Sequence, residues 1–196
     1  MPIRIGTRSS NLAMWQARTV ASALNEAGIE TEIVQFKSMG DRSLGGNLSA
    51  TVGQFIHLID QKLNEGLIDI AVHSSKDVPT TPNDAIANLA YMERDTTSDL
   101  ILFKRQNDDA SLYEVLDDDT NTSLSDLLKR VKHGSTFGTV SGRRQSLLLS
   151  QRPDLIPLSV RGHVETRIER LIEGRVDALI LAEAGICRLR TTGVLD

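Results

Sequence analysis

The segment His73-Ser74-Ser75-Lys76-Asp77 places a histidine, two serines, a lysine and an aspartate in five consecutive residues. The run from Ile68 to Val72 before it is apolar apart from Asp69. Such a run is typical of a strand in a parallel sheet that is buried on both faces. Open α/β sheets bind ligands at the carboxyl ends of their strands. A carboxylate held beside a lysine at that position can transfer a proton or stabilise a cation.

The same five residues also fit a plainer interpretation. Lys76 and Asp77 can form an ordinary surface ion pair, which contributes ~0–1 kcal/mol to stability. His73 can be a hydrogen-bonded histidine of the core. For a strand end considered alone this plainer interpretation is the better one. The other junctions between strands and helices must therefore decide between a functional site and an ordinary ion pair.

The junction Gly138 to Gln145 carries arginines where they oppose helix stability. A turn of small residues follows a predicted strand, and Arg143 and Arg144 then fall in the first turn of a helix. The N-terminus of a helix has unpaired N–H groups and a partial positive charge, so it attracts anions and disfavours cations. Residues that oppose local stability are typical of functional sites. We therefore interpret this junction as an anion-binding site.

Two further junctions repeat the arrangement. Gly6-Thr7-Arg8-Ser9-Ser10 follows the first predicted strand, and Val160-Arg161-Gly162-His163 leads into a helix that carries Thr166 and Arg167. The planar guanidinium of arginine pairs with carboxylate or phosphate through two parallel hydrogen bonds, which lysine cannot do. The sequence therefore predicts a small-molecule ligand with several carboxylates or phosphates.

Composition narrows the class of protein. The 196 residues have a net charge of −4 and a pI near 5.6, which argues against nucleic acid as the main partner. Arginine outnumbers lysine by 16 to 6. Cys187 is the one cysteine, and the four histidines show no HxH or HxxxH spacing, so we expect neither a disulfide framework nor a metal site. Without a signal-peptide pattern or an apolar run of ~20 residues, we expect a cytoplasmic protein without membrane contact.

Strand and helix patterns alternate along the chain, which predicts an α/β fold. A helix is expected from Leu12 onward, capped by Ser9 or Ser10 and ended by Gly28. The Gly-rich segment 38–53 is interpreted as a long functional loop. The other helices are predicted at 55–63, 124–131, 142–150 and 164–172, and the strands at 2–7, 31–37, 68–72, 86–92, 100–103, 136–140, 155–160 and 177–181.

Two series of strands and helices divide near residues 96–100, which predicts two small α/β domains around a cleft. The first spans 1–98, with 185–196 as a hinge or return segment, and the second spans 99–184. The second contains an acidic segment, 106–121, which is interpreted as a solvated insertion; a metal-binding loop is the less favoured alternative.

Taken together, these motifs resemble the porphobilinogen deaminase (hydroxymethylbilane synthase) family. Its members join four porphobilinogen units into the linear tetrapyrrole hydroxymethylbilane, with loss of ammonia, on the pathway to haem. The matches run in order over nearly the whole chain, at Ile5 to Ala17, Asp69 to Pro79, Gly138 to Gln145, Arg152 to Leu155, Arg161 to Arg167 and Asp177 to Leu189.

The resemblance implies a fold and a set of roles. The fold is of periplasmic-binding-protein type, with two α/β domains and a third domain that anchors a dipyrromethane cofactor. Asp77 corresponds to the catalytic aspartate, which assists loss of ammonia and stabilises the resulting cation. The positions that hold the carboxylates of cofactor and substrate are Arg8, Ser10, Lys76, Ser141, Arg143, Arg144, Arg161, Arg167 and Arg188. The supporting positions are Thr7, His73, Ser74, Thr139 and Gly162.

The sequence also departs from the family pattern. The cofactor-anchoring cysteine of the family belongs to the third domain, which these 196 residues do not match, and Cys187 does not correspond to it. The segment Thr51 to Phe55 lacks the lysine of a GKG-type loop, Val140 replaces a serine, and His163 replaces an asparagine. We therefore expect a missing or separately encoded third domain as a partner. The alternative function is a truncated or degenerate, inactive module that binds pyrrole polycarboxylates.

Overall fold

The structure is a computed structural model, and it describes residues 1–36, 54–79, 85–104, 124–129 and 131–195. The predicted loop at 38–53 and the acidic insertion at 106–121 lie outside the described residues. The strands are β1 (Ile3–Arg8), β2 (Thr31–Phe36), β3 (Ile70–Ala71), β4 (Asp99–Phe103), β5 (Thr136–Gly138), β6 (Ile156–Leu158) and β7 (Ala178–Ala182). The helices are α1 (Asn11–Glu26), α2 (Gln54–Asn64), α3 (Leu124–Lys129), α4 (Gly142–Gln151), α5 (Val164–Ile172) and α6 (Glu183–Thr191).

The chain forms two compact units, one of Met1–Thr96 with Cys187–Asp196 and the other of Thr97–Ile186. Each unit has a sheet of its own, with strand order β2-β1-β3 in the first and β4-β7-β5-β6 in the second. Helices accompany both sheets, which confirms the predicted α/β class. The predicted domains, 1–98 with 185–196 and 99–184, stay a prediction.

The first unit is organised around β1, which pairs in parallel with β2 on one side and β3 on the other. Its core consists of Ile5 on β1 with Ala17 and Ala21 on α1. Ser10 caps α1, because its hydroxyl accepts a hydrogen bond from the backbone N–H of Ala13 at 3.3 Å. Of the two predicted caps, Ser10 is therefore the one that forms.

Strand β3 is shorter and less buried than predicted. Only Ile70 and Ala71 pair with β1, and both are half-buried, whereas Ile68 is 1% exposed. Because both paired residues are half-buried, full burial on both faces was the wrong expectation. In the described part of the sheet β3 also has a neighbour on one side only. Asp69, the polar exception in the run, forms an ion pair with Arg4 at 2.8 Å.

The predicted strand at 86–92 is wrong. Residues 85–98 have no regular secondary structure, and Leu89, Tyr91 and Met92 are 80%, 75% and 51% exposed. A run of apolar residues forms a strand only where a neighbouring strand supplies hydrogen bonds, and no described strand pairs with this segment.

In the second unit the central strand is β7, whose residues Ala178, Leu179, Ile180 and Leu181 are all buried. It pairs in parallel with β5 and antiparallel with β4, so the second sheet is mixed. The carboxyl ends of β5 and β6 lie at the same edge, because these two strands are parallel. That edge leads into the junctions that carry the arginines.

Arg152, part of the segment Arg152 to Leu155, has a structural role in this unit. Its guanidinium donates to both carboxylate oxygens of Asp154, at 2.6 and 2.7 Å, and also to the backbone carbonyl of Leu128 near the end of α3. The hydrogen bond from Arg152 holds the pKa of Asp154 well below its usual range, and a hydrogen bond from the Gly134 N–H acts in the same direction.

Replacing Asp154 with Asn should make unfolding less sensitive to acid. Since the pKa of Asp154 is lower in the folded chain than its usual 3.8, its charge stabilises the fold above that pH, and this stabilisation is lost as the pH falls further. Urea unfolding at several pH values between about 6 and 2 should show the wild type more stable at the upper end. The difference between the two proteins should shrink toward the lower end; a constant difference would contradict the assignment.

Replacing Gly138 with Ala should destabilise the second unit by about 1–3 kcal/mol through overpacking. An added Cβ would lie 2.8 Å from Val160 Cγ2 and 3.0 Å from Leu179 Cδ1, and both neighbours are buried. Gly142 is the matched control, because nothing lies within 4 Å of a Cβ built there. Its change to Ala should stay within about 0.5 kcal/mol of the wild type in urea unfolding.

Candidate functional site

A small cavity lies in the first unit where β1 and β3 end. The two strands are parallel, with Gly6 opposite Ala71, so the residues that follow each strand meet at one edge of the sheet. The cavity has a volume of about 30 Å³. Four residues singled out from the sequence line it together, namely Arg8, His73, Ser74 and Asp77.

Two side chains from neighbouring helices hold the segment that follows β3. The Nε2 atom of His73 lies 2.9 Å from Oδ1 of Asp60 on α2, and both side chains are largely buried, at 15% and 18% exposure. The hydroxyl of Ser74 donates to Oε1 of Gln16 on α1 at 2.9 Å. These contacts fix His73 and Ser74 on the wall of the cavity.

The sequence analysis missed both Asp60 and Gln16. The sequence does carry a signal for Asp60, which lies one helical turn after Ile56 and beside Ile59, two residues of the buried face of α2. A carboxylate on the apolar face of a helix requires a polar partner. Gln16 gives no comparable signal, because a glutamine on a partly exposed helix is common.

Asp77 ends a single turn of 3₁₀ helix, Ser75–Asp77, whose backbone is closed by a hydrogen bond from the Asp77 N–H to the Ser74 carbonyl at 2.9 Å. The Lys76–Asp77 ion pair of the plainer interpretation does not form. Among the described residues, the Asp77 carboxylate has no ion pair. It therefore lines the cavity as a carboxylate without a described counter-ion.

The other predicted residues of the first unit differ in their surroundings. Thr7 is fully buried and donates to the carbonyl of Ala13, while Ser10 caps α1. Lys76 is exposed. Arg188 donates to Asp95 at 3.2 Å, and its guanidinium lies 4.8 Å from the centre of the Trp15 ring. That stacking and ion pair already occupy part of the Arg188 side chain.

In the second unit, the turn after β5 is built by hydroxyl groups. The Thr139 hydroxyl accepts from the Ser141 N–H at 3.2 Å, and the Ser141 hydroxyl caps α4 by accepting from the Arg144 N–H at 3.4 Å. Thr139 is 2% exposed. Both hydroxyls therefore shape the turn that presents Arg143, which is exposed on the first turn of α4.

Positive charge accumulates between α4 and α5. Burial, followed by the neighbouring charges of Arg144, Arg170 and Arg161, lowers the pKa of the Arg167 guanidinium. Arg167 donates to the carbonyl of Gly162, a neutral acceptor, at 2.8 Å. Like charges gathered in this way attract an anion that can neutralise them. Arg170 is the member that the sequence analysis missed.

Arg144 is already paired within the unit. Its Nε donates to Oδ2 of Asp99 at 2.8 Å, and a second nitrogen of the same guanidinium bonds to Oδ1. Gly162, at the other side of the cluster, has a φ of +114°, so its carbonyl is oriented by a backbone conformation that favours glycine. The cluster thus contains one arginine with an internal carboxylate and others without one among the described residues.

The described part of the chain has neither a side-chain group typical of a metal site nor a helix that could cross a membrane. No group of three or more histidine, cysteine, aspartate or glutamate side chains there has the arrangement of a metal site. No helix in the same residues combines the length and the apolar character needed to cross a membrane. Cys187 is a free, exposed thiol.

Comparison with known proteins gives a consistent result. The family model described as "Porphobilinogen deaminase, dipyromethane cofactor binding domain" matches residues 3–195. A probable porphobilinogen deaminase of Methanosarcina barkeri is 39% identical over 94% of this chain and 54% of its own length. The porphobilinogen deaminase of Geobacter sulfurreducens is 38% identical over 98% of this chain and 56% of its own length. The chain thus spans about half the length of these curated relatives.

Among solved structures, an ancestral cationic amino acid solute binding protein is 15% identical to this chain. The match covers 92% of this chain and 69% of that one, with a TM-score of 0.48. This likeness is too weak to carry an argument about function, so the sequence relatives and the site geometry carry it instead.

Replacing Arg161 with Gln should weaken binding of a tricarboxylate such as citrate about tenfold, because one charge-assisted hydrogen bond is lost. It should leave stability without citrate within about 0.5 kcal/mol of the wild type, since Arg161 is exposed. Thermal unfolding with increasing citrate measures both quantities. Lys129→Gln is the control, because Lys129 is exposed and pairs with Asp126 on α3; equal loss in both variants would contradict a specific site.

Proposed function

The chain belongs to the porphobilinogen deaminase family, and from that premise we propose that it acts in the condensation of porphobilinogen into hydroxymethylbilane. The observation that supports this most directly is the cavity at the ends of β1 and β3. There Asp77, a carboxylate without a described ion pair, lies with Arg8, His73 and Ser74. One cavity thus combines a group that stabilises positive charge with a group that binds carboxylates.

The proposed substrate fits the charges of the site. Each pyrrole of porphobilinogen carries an acetate and a propionate, and the guanidinium group is well suited to bind both. Arg8 in the first unit and Arg143, Arg161 and Arg167 in the second are assigned to this role. Arg144 and Arg188 can bind a substrate carboxylate only when it displaces their internal partners, Asp99 and Asp95.

The dipyrromethane cofactor has the same chemistry as the substrate, since its two pyrroles also carry acetates and propionates. The residues present fit such a group, because Arg161, Arg167 and Arg170 have no carboxylate partner among the described residues, and burial followed by neighbouring positive charge lowers the pKa of Arg167. Arg161 and Arg167, with the exposed Arg143, are the residues we assign to holding it. When bound, the cofactor supplies the pyrrole carbon that forms the new carbon–carbon bond.

Asp77 is assigned to the charge that develops on the substrate. As the bond between the aminomethyl carbon and its nitrogen breaks, the electron pair leaves with the nitrogen as ammonia, and the pyrrole becomes cationic. Asp77 is exposed where it lines the cavity, and the negative charge of its carboxylate stabilises that cation. The supporting residues, His73 and Ser74, hold the cavity wall beside it.

The wider setting is part of the same proposal. Because the curated relatives are longer, we propose that a third domain, in the same or a separate polypeptide, supplies the cysteine that anchors the cofactor. We further propose a cytoplasmic location, which suits the exposed free thiol of Cys187. The alternative, a module that binds pyrrole polycarboxylates without turnover, is not favoured by the relatives, all of which are named as deaminases.

Replacing Asp77 with Asn should lower the rate of ammonia release from porphobilinogen about 10²–10³-fold, the usual effect of removing one group that stabilises the transition state. Asn keeps the shape of the side chain and removes its charge. The assay follows ammonia, uroporphyrinogen and bound Ehrlich-reactive dipyrromethane, with Glu65→Gln as the surface control. Unchanged turnover in the Asn variant would overturn the role of Asp77, and calorimetric binding without ammonia release would support the binding module.

A further inference from the structure

The contact between Asp60 and His73 fixes which nitrogen of the imidazole carries the proton. An ionised carboxylate only accepts hydrogen bonds, so the proton between Nε2 and Asp60 Oδ1 belongs to Nε2. In the neutral ring Nδ1 is then the acceptor. Among the described residues, Nδ1 of His73 has no hydrogen-bond partner, whereas the ring lines the cavity beside Asp77.

The cavity has room for a small polar group. Its volume of about 30 Å³ exceeds the roughly 10–15 Å³ that one water molecule needs. A primary ammonium group is of similar size. An ammonium has three N–H donors, and two of the lining residues carry a matching acceptor, namely the Asp77 carboxylate and the His73 imidazole.

Arg8 on the same wall is consistent with an ammonium ligand. In porphobilinogen the aminomethyl and acetate groups are attached to neighbouring carbons of the ring. A guanidinium that lines the same cavity can therefore bind the acetate of a substrate whose amine meets His73 and Asp77. The lining thus combines acceptors, on His73 and Asp77, with the donors of Arg8.

We propose that this cavity is the subsite for the aminomethyl nitrogen of the substrate, and that Asp60 is a positioning residue which holds His73 in the Nε2–H tautomer so that Nδ1 accepts a hydrogen bond from that amine. The proposal rests on the proposed function and extends it to Asp60, which lies outside the sequence motifs that suggested that function. Asp60 does not touch the ligand. It acts through the ring that it orients.

The first test is the tautomer of His73 in the chain labelled with ¹⁵N, at a pH where the ring is neutral. Correlation spectra of the ring distinguish a protonated from an unprotonated nitrogen, and His73→Gln identifies the signal. We expect Nδ1 to be unprotonated in the wild type and in Glu65→Gln. Asp60→Asn should show both tautomers, because an amide both donates and accepts. A protonated Nδ1 in the wild type, or one unchanged tautomer in Asp60→Asn, overturns the proposal.

The second test compares porphobilinogen with the analogue that has a methyl group in place of the aminomethyl group. Porphobilinogen should shift the Nδ1 signal, and the analogue should leave it in place while still binding through its carboxylates. Asp60→Asn should weaken the binding of porphobilinogen about tenfold, which is the effect of losing one hydrogen bond to a charged group. The affinity for the analogue should stay within about twofold of the wild-type value.

The outcomes separate the two proposals. Equal Nδ1 shifts with both pyrroles overturn the amine subsite and leave the proposed function standing. Binding of neither pyrrole to the wild type overturns the proposed function and the subsite together. The wild-type comparison of the two pyrroles decides the subsite even where Asp60→Asn fails to fold.

Discussion

Parallel pairing of β1 with β3 is the constraint on which the cavity of the first unit depends. Because Gly6 lies opposite Ala71, the residues after each strand emerge side by side. Gly6 is essential to that closeness, since a Cβ there would lie 2.2 Å from Ile68 Cδ1, a fully buried side chain. A residue with a side chain at this position must displace the end of the Ile68 side chain or separate the strands, and separation of the strands moves Arg8 away from His73.

The two units differ in the charge left near their predicted site residues. In the first unit, Arg188 pairs with Asp95, while the Asp77 carboxylate has no ion pair among the described residues. In the second unit, burial, followed by repulsion from Arg144, Arg170 and Arg161, lowers the pKa of Arg167. A chain that tolerates such repulsion without a ligand is poised to gain stability when an anion binds.

The sequence predicted well what depends on local chemistry. The cap at Ser10 follows from a side chain that bonds to its own backbone. The helix over Val164–Ile172 follows from its local sequence pattern. It predicted poorly what depends on neighbours. The segment 86–92 has the pattern of a strand but no described strand to pair with, and β3 is edge-exposed because the described sheet ends there. Asp60 escaped notice because its partner, His73, is 13 residues away and only the fold brings them together.

In the bidentate pair between Arg144 and Asp99, the Asp99 carboxylate competes with any ligand carboxylate for the Arg144 guanidinium. A ligand carboxylate that takes this guanidinium must displace one that is already bound, so the exchange replaces one pair with another of similar strength. Asp99 is 42% exposed on its side-chain surface, and it returns to water at little cost once displaced. Competition from Asp99 therefore sets an upper limit on the affinity of Arg144 for a ligand carboxylate. For the stepwise condensation proposed above, that limit favours release of the product as much as its capture.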